Sequence, residues 1–147
     1  MRHTKELFDL TGRVAIVTGG SRGIGAATAR ALAADGWEVN INYFQSEEQA
    51  MALGKELGAR VFRCDVSDPV QVQNMFDEMG PVELLVNNAG IAAQKLFTDL
   101  TDEDWDRMID VNLSGVFRTC RAALPEMIRR KQGTIINISS MWGQVGA

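Results

Sequence analysis

Thr18-Gly19-Gly20-Ser21-Arg22-Gly23-Ile24-Gly25 is the stretch of this sequence best equipped to hold an anion. Its glycines let the chain turn tightly and let a ligand approach peptide N–H groups, while Ser21 and Arg22 add a hydroxyl and a cation. Placed before a helix, such a turn presents unpaired N–H groups and the positive end of the helix dipole, the chemistry that receives a phosphate. The spacing Gly19-x-x-x-Gly23-x-Gly25 is not the G-x-G-x-x-G dinucleotide pattern, so the turn alone also fits a plain tight connection. Other polar residues stand just past apolar runs: Asp65 after Arg60 to Cys64, Asn87 and Asn88 after Val82 to Val86, and Ser139 and Ser140 after Thr134 to Ile138.

The elements that must position these groups follow from pattern. Val14 to Val17 is short and apolar, suited to a strand buried on both faces. Ile24 to Ala34 reads as a helix with Ile24, Ala27, Ala31 and Ala34 on one face and Gly36 at its end. Trp37 to Tyr43 is a second strand, and a Ser46/Gln49 capping box opens a helix through Met51, Leu53 and Leu57. Beyond a third strand, Arg60 to Cys64, Asp68-Pro69 starts a helix with Val72, Met75, Phe76 and Met79 on its apolar face. Val82 to Val86 is the fourth strand, and Thr101 to Asp104 caps a helix that puts Trp105, Met108 and Ile109 at core spacing. The segment after Asn112 is helical to Lys131, kinked at Pro125 and stopped by Gly133, and Thr134 to Ile138 is the fifth strand. Strands alternating with helices predict an α/β, doubly wound parallel sheet with helices on both faces. Ligands in such sheets sit outside the carboxyl ends of the strands, where Thr18, Asp65, Asn87 and Ser140 would converge.

Bulk properties narrow the function. A hydrophobic content of 46% with 23% charged residues is ordinary for a globular chain of 147 residues, and the formal charge of -4 argues against general nucleic-acid binding. No apolar run reaches membrane-spanning length, and Met1 to Leu10 is too charged for a signal peptide, so the expected compartment is cytoplasmic. Two distant cysteines and the single His3 give neither a disulfide framework nor a metal site, and a Ser-His-Asp triad is a poor fit.

The glycine turn with Thr18, Cys64-Asp65-Val66, Asn87-Asn88-Ala89-Gly90 and Ile136-Asn137-Ile138-Ser139-Ser140 together resemble, in order, the motifs of the short-chain dehydrogenase/reductase family. Its 3-oxoacyl-[acyl-carrier-protein] reductases are the most similar members. The resemblance implies a Rossmann sheet in strand order 3-2-1-4-5 and a single NAD(P)-binding domain over residues 1–147, incomplete at its C-terminus. Thr18, Gly19, Ser21, Arg22, Gly23, Ile24 and Gly25 would then bind the cofactor's phosphates. Asp65 would accept a hydrogen bond from the adenine amino group with Val66 against the base, and Asn87, Ala89 and Gly90 would line the adenosine side. Asn112, in Asp110-Val111-Asn112-Leu113-Ser114-Gly115, matches the active-site asparagine that helps hold a proton-relay water; its plain alternative is a buried amide pinning a helix kink. Ser140 matches the catalytic serine that polarises a substrate carbonyl.

One departure is decisive for activity. The family's Tyr-x-x-x-Lys pair should follow the serine by about a dozen residues, yet the only tyrosine is Tyr43 and the sequence runs to Ala147. Loss of a general acid costs about two to four orders of magnitude, so the chain as given is expected to be inert. The expectation is an NADP(H)-dependent reductase of small or carrier-bound ketones, oligomeric when whole, without nucleic-acid or membrane partners. No carboxylate ends the second strand at Asn40-Ile41-Asn42-Tyr43, and Arg22 is placed to pair with a 2′-phosphate. Ser139-Ser140-Met141-Trp142-Gly143 also resembles a relative that reduces a ketone modification on an elongation factor, and a non-catalytic nucleotide-binding module is the alternative class. Arg129-Arg130-Lys131 suits the negative end of a helix dipole, or with Arg118 and Arg121 an acidic carrier protein.

Overall fold

Apolar residues in unbroken succession place β1 at the centre of the sheet. In the computed structural model, which describes residues 9–145, the strands are β1 (Val14–Val17), β2 (Glu38–Tyr43), β3 (Arg60–Arg63), β4 (Leu84–Asn87) and β5 (Thr134–Asn137). They alternate with α1 (Gly23–Asp35), α2 (Glu47–Leu57), α3 (Pro69–Met79), α4 (Asp102–Ile109) and α5 (Gly115–Arg130). The order is β3-β2-β1-β4-β5 with every pairing parallel, the doubly wound arrangement expected from the sequence. His3 lies outside the described residues.

Ile16 packs on one face of the sheet with Phe62, Leu85 and the buried side chains of α3 and α5. Ala15 and Val17 pack on the other, with Val39, Ile41 and the small residues of α1. A strand covered on both sides must be apolar at consecutive positions, which is why β1 shows no polar alternation. Since β1 pairs with both β2 and β4, the chain leaves it in opposite directions, and a crevice opens at that switch point.

Local chemistry sets most helix ends. Gly36 adopts φ 103° and closes α1 through bonds to Leu32 and Ala33. The Asp68 carboxylate accepts from the N–H groups of Val70 and Gln71 ahead of Pro69, and Thr101 and Asp104 form a reciprocal capping box on α4.

Four expectations need correction. Ser46 makes no capping bond, and Glu47 and Glu48 in the first turn of α2 supply the favourable charge instead. The buried face of α1 is Gly25, Ala26 and Ala29, with Ile24 65% exposed, because small residues let this helix approach the sheet. Trp105 is 60% exposed, since α4 buries no residue fully. The long helix begins only at Gly115, after a π-helical turn at Asp110–Ser114, and Lys131 in the left-handed conformation (φ 53°) ends it before Gly133. The helix runs through Pro125. Among the described residues β5 pairs only with β4, and Ile136, Phe117, Leu124 and Ile128 are exposed.

Asn40, 2% exposed in the middle of β2, donates to the Ala15 carbonyl, while its own Oδ1 has no partner among the described residues. A buried acceptor without a donor costs about 1–3 kcal/mol. Asn40→Leu should therefore raise the urea midpoint by the equivalent of about 1 kcal/mol; a lowered midpoint would show that the carbonyl is satisfied.

Candidate nucleotide cleft

Thr18 ends β1 and ties the two loops that face each other across the switch point. Its hydroxyl, on a residue 1% exposed, accepts from the N–H of Asn88 at 3.1 Å and of Ala89 at 3.0 Å and donates to the Val86 carbonyl at 3.4 Å. Asn88 reciprocates: its Nδ2 donates to the carbonyls of Thr18 (3.2 Å) and Gly19 (3.0 Å). The loops approach so closely that a Cβ on Gly19 would lie 2.8 Å from the Ala89 Cα, and one on Gly25 would enter the Gly19 carbonyl oxygen and the Asn88 amide. Gly19 also takes φ 59°, so glycine is required there twice over.

The strand ends open into a cleft of about 560 Å³. Its walls are Gly19, Ser21, Arg22, Gly23 and Ile24 from the turn, Asn42 to Ser46 at and beyond the end of β2, Cys64 to Val66 after β3, Asn88 to Ile91 after β4, and Arg107 and Val111. Ile24 is exposed because it faces this space. α1 starts at the cleft with no side-chain cap and no acidic residue in its first turn, leaving its N-terminal N–H groups and dipole free for an anion.

Asp65 is the cleft's carboxylate. Ser67 donates to its Oδ1 twice, from the backbone at 2.9 Å and the hydroxyl at 2.7 Å, and Arg107 Nη1 stands 3.1 Å from Oδ2. Burial pushes its pKa upward, but the Ser67 bonds and the Arg107 charge outweigh burial and hold it below the usual value, so Asp65 is ionised at neutral pH. The neighbouring Cys64 thiol is pushed up to about 12, by burial first and then by Asp65 and Asp68, and is therefore no nucleophile. Asn42 braces the floor, accepting from Gly19 N–H at 3.2 Å and donating to the Cys64 carbonyl at 3.0 Å.

The nominated residues divide. Gly19, Ser21, Arg22, Gly23, Ile24, Asp65, Val66, Ala89 and Gly90 line the cleft. Thr18 and Gly25 lie behind it as the tie and the close-approach point. Asn87 is a correction: its side chain does not reach the cleft, because as the last residue of β4 it turns toward α5. There it accepts from the Thr119 hydroxyl at 2.6 Å and donates to Asn137 at 2.9 Å. Asn88 takes the place expected of it.

Asn112 is not the buried amide of the plain alternative. It is exposed in the π-helical turn and clamps Ile91, accepting from its N–H and donating to its carbonyl, both at 2.8 Å. Ser140 lies outside the cleft walls, its Oγ accepting from Trp142 N–H at 3.2 Å. The basic residues on α5 have local partners: Arg129 and Arg130 share Glu126, Arg118 pairs with Asp110, and Arg121 covers Phe117. Asn42 and Arg107 were missed. A polar residue within an apolar strand was the only signal for Asn42, and Arg107 carried none beyond its place in the last turn of α4.

The family model for short chain dehydrogenases matches residues 13–147. The chain belongs to the short-chain dehydrogenase family. It is 41% identical over 141 residues to the 3-oxoacyl-[acyl-carrier-protein] reductase FabG of Staphylococcus aureus strain Mu50, covering 90% of this chain and 57% of the relative. It is 44% identical over 138 residues to the acetoacetyl-CoA reductase of Rhizobium meliloti, covering 91% and 57%. A solved short chain dehydrogenase/reductase family protein superposes with a TM-score of 0.89 at 32% identity, covering 95% of this chain and 60% of its own. The chain thus spans less than two thirds of the length of these dehydrogenases. Among the described residues no helix is long and apolar enough to cross a membrane.

Thr18→Val keeps the shape and removes the acceptor for two backbone N–H groups. It should cost about 2 kcal/mol in urea unfolding, whereas Thr18→Ser should lose only about 0.8 kcal/mol for its methyl. Equal losses in both variants would refute the tie.

Proposed function

We propose that the cleft binds NADP(H) and that the complete protein is a cytoplasmic short-chain reductase that converts a ketone, free or bound to an acyl carrier, to a secondary alcohol. The observation that carries this reading is the uncapped N-terminus of α1, opening into a cleft whose walls also bear an ionised carboxylate. That pairing suits a ligand with a phosphate at one end and a hydrogen-bond-donating base at the other. The glycine turn fits a pyrophosphate because Gly19 and Gly23 line the cleft without a side chain between a ligand and the peptide N–H groups.

When bound, the nicotinamide supplies a hydride to the ketone carbon. The turn from Gly19 to Gly25 and the first N–H groups of α1 would hold the pyrophosphate, and Asp65 would accept from the adenine amino group with Val66 beneath the base. Arg22, exposed at the head of α1, would pair with a 2′-phosphate. With its amide spent on Ile91, Asn112 would act by fixing the loop rather than by meeting substrate. Ser140 has an O–H proton left to donate, as polarisation of a carbonyl oxygen requires. No tyrosine follows Ser140 within these 147 residues. The relatives' names support the 3-oxoacyl class over a ketone carried by an elongation factor.

Calorimetric titration of the chain tests cofactor choice. NADPH should bind about tenfold more tightly than NADH, and Arg22→Ala should remove most of that difference. Equal affinities in the unmodified chain would refute the assignment.

A further inference from the structure

Asp65 is held at both oxygens. Ser67 fills two acceptor positions on Oδ1, and Arg107 Nη1 closes on Oδ2 while donating to the Ser67 hydroxyl at 2.6 Å. A carboxylate offers about four acceptor positions, so this triangle leaves roughly one for a ligand in the cleft. The carboxylate torsion, ordinarily broad, is thereby set from both ends. Arg107 is fixed in turn: it rises from the last turn of α4, where a cation suits the dipole, and its guanidinium lies 5.9 Å from the Phe44 ring that follows β2. One side chain thus joins α4, the loop after β3 and the end of β2 at the cleft wall.

We infer that Arg107 is a positioning residue that makes the cleft selective for a 6-aminopurine over a 6-oxopurine, a reading that rests on the nucleotide assignment above. An amino group supplies the donor that the remaining Asp65 acceptor position needs. A 6-oxo group sets an acceptor against that carboxylate, and the Nη1 of Arg107 cannot serve it because its contacts go to Asp65 and Ser67. Without Arg107 nothing holds Oδ2, and its free acceptor position is no longer aimed at the ligand's amino group. Selectivity then fails even where binding survives.

The test is calorimetric binding of NADPH and its hypoxanthine analogue to the 147-residue chain and to Arg107→Met, with thermal unfolding to check the fold. The unmodified chain should prefer the amino form by about tenfold or more, and R107M should bring the two affinities within about threefold, chiefly by weakening NADPH. A residue that only docks α4 would weaken both nucleotides equally, so an unchanged ratio in R107M overturns the inference and leaves the nucleotide assignment standing. Binding of neither nucleotide by the unmodified chain overturns both. If R107M does not fold, Ser67→Ala takes its place: it cuts the triangle without touching α4, and it too must lower the ratio for the inference to hold.

Discussion

Two backbone N–H groups, on Asn88 and Ala89, find their acceptor in one buried hydroxyl, that of Thr18. The approach of the two loops across the switch point depends on that contact. It fixes the loop after β4 against the glycine turn after β1, and the return bonds from Asn88 to Thr18 and Gly19 close the arrangement. Only glycine fits at positions 19 and 25 once the two loops lie this close. The glycines of the motif therefore serve protein packing as much as ligand access, a division their spacing alone does not reveal.

Charge around the cleft is arranged by position rather than by amount. The chain is net acidic at -4, yet the mouth of the cleft carries the positive end of α1 with Arg22 beside it. The one carboxylate on the cleft walls, that of Asp65, is paired with Arg107 and hydrogen-bonded by Ser67, which holds it charged despite partial burial. Asp68 next door is likewise held low, first by Gln71 and then by Val70 and Arg118, and serves α3 as its cap. The cleft walls thus carry a helix N-terminus with a cation and, apart from it, a paired carboxylate.

Much of this was legible in the residues. The apolar runs gave the strands, Gly36, Asp68 and Thr101 marked helix ends by their own chemistry, and the ends of the strands brought the turn, Asp65 and Ala89 to one place. What failed to show depended on register and tertiary partners. Asn87 and Asn88 are adjacent amides, and which one faces the cleft depends on where β4 ends, because side chains alternate across a strand. Ile24 looked like a core residue by spacing, but the helix rotates to bury Gly25, Ala26 and Ala29. The π-helical turn at Asp110–Ser114 moved Asn112 out of a regular helix and onto Ile91. Arg107 reaches Asp65 across forty-two positions of sequence, a contact no local pattern encodes.

The central claim is that the Thr18 hydroxyl makes one rigid cleft of two separate loops. Amide hydrogen exchange read at Asn88 and Ala89 tests it most directly, since a loop amide bonded to a buried acceptor opens only when the surrounding structure opens. The account predicts that both amides, in the free chain, are protected to nearly the same extent as those of β1 and β4. Exchange at the rate of the exposed segment from Ala92 to Leu96 would contradict it.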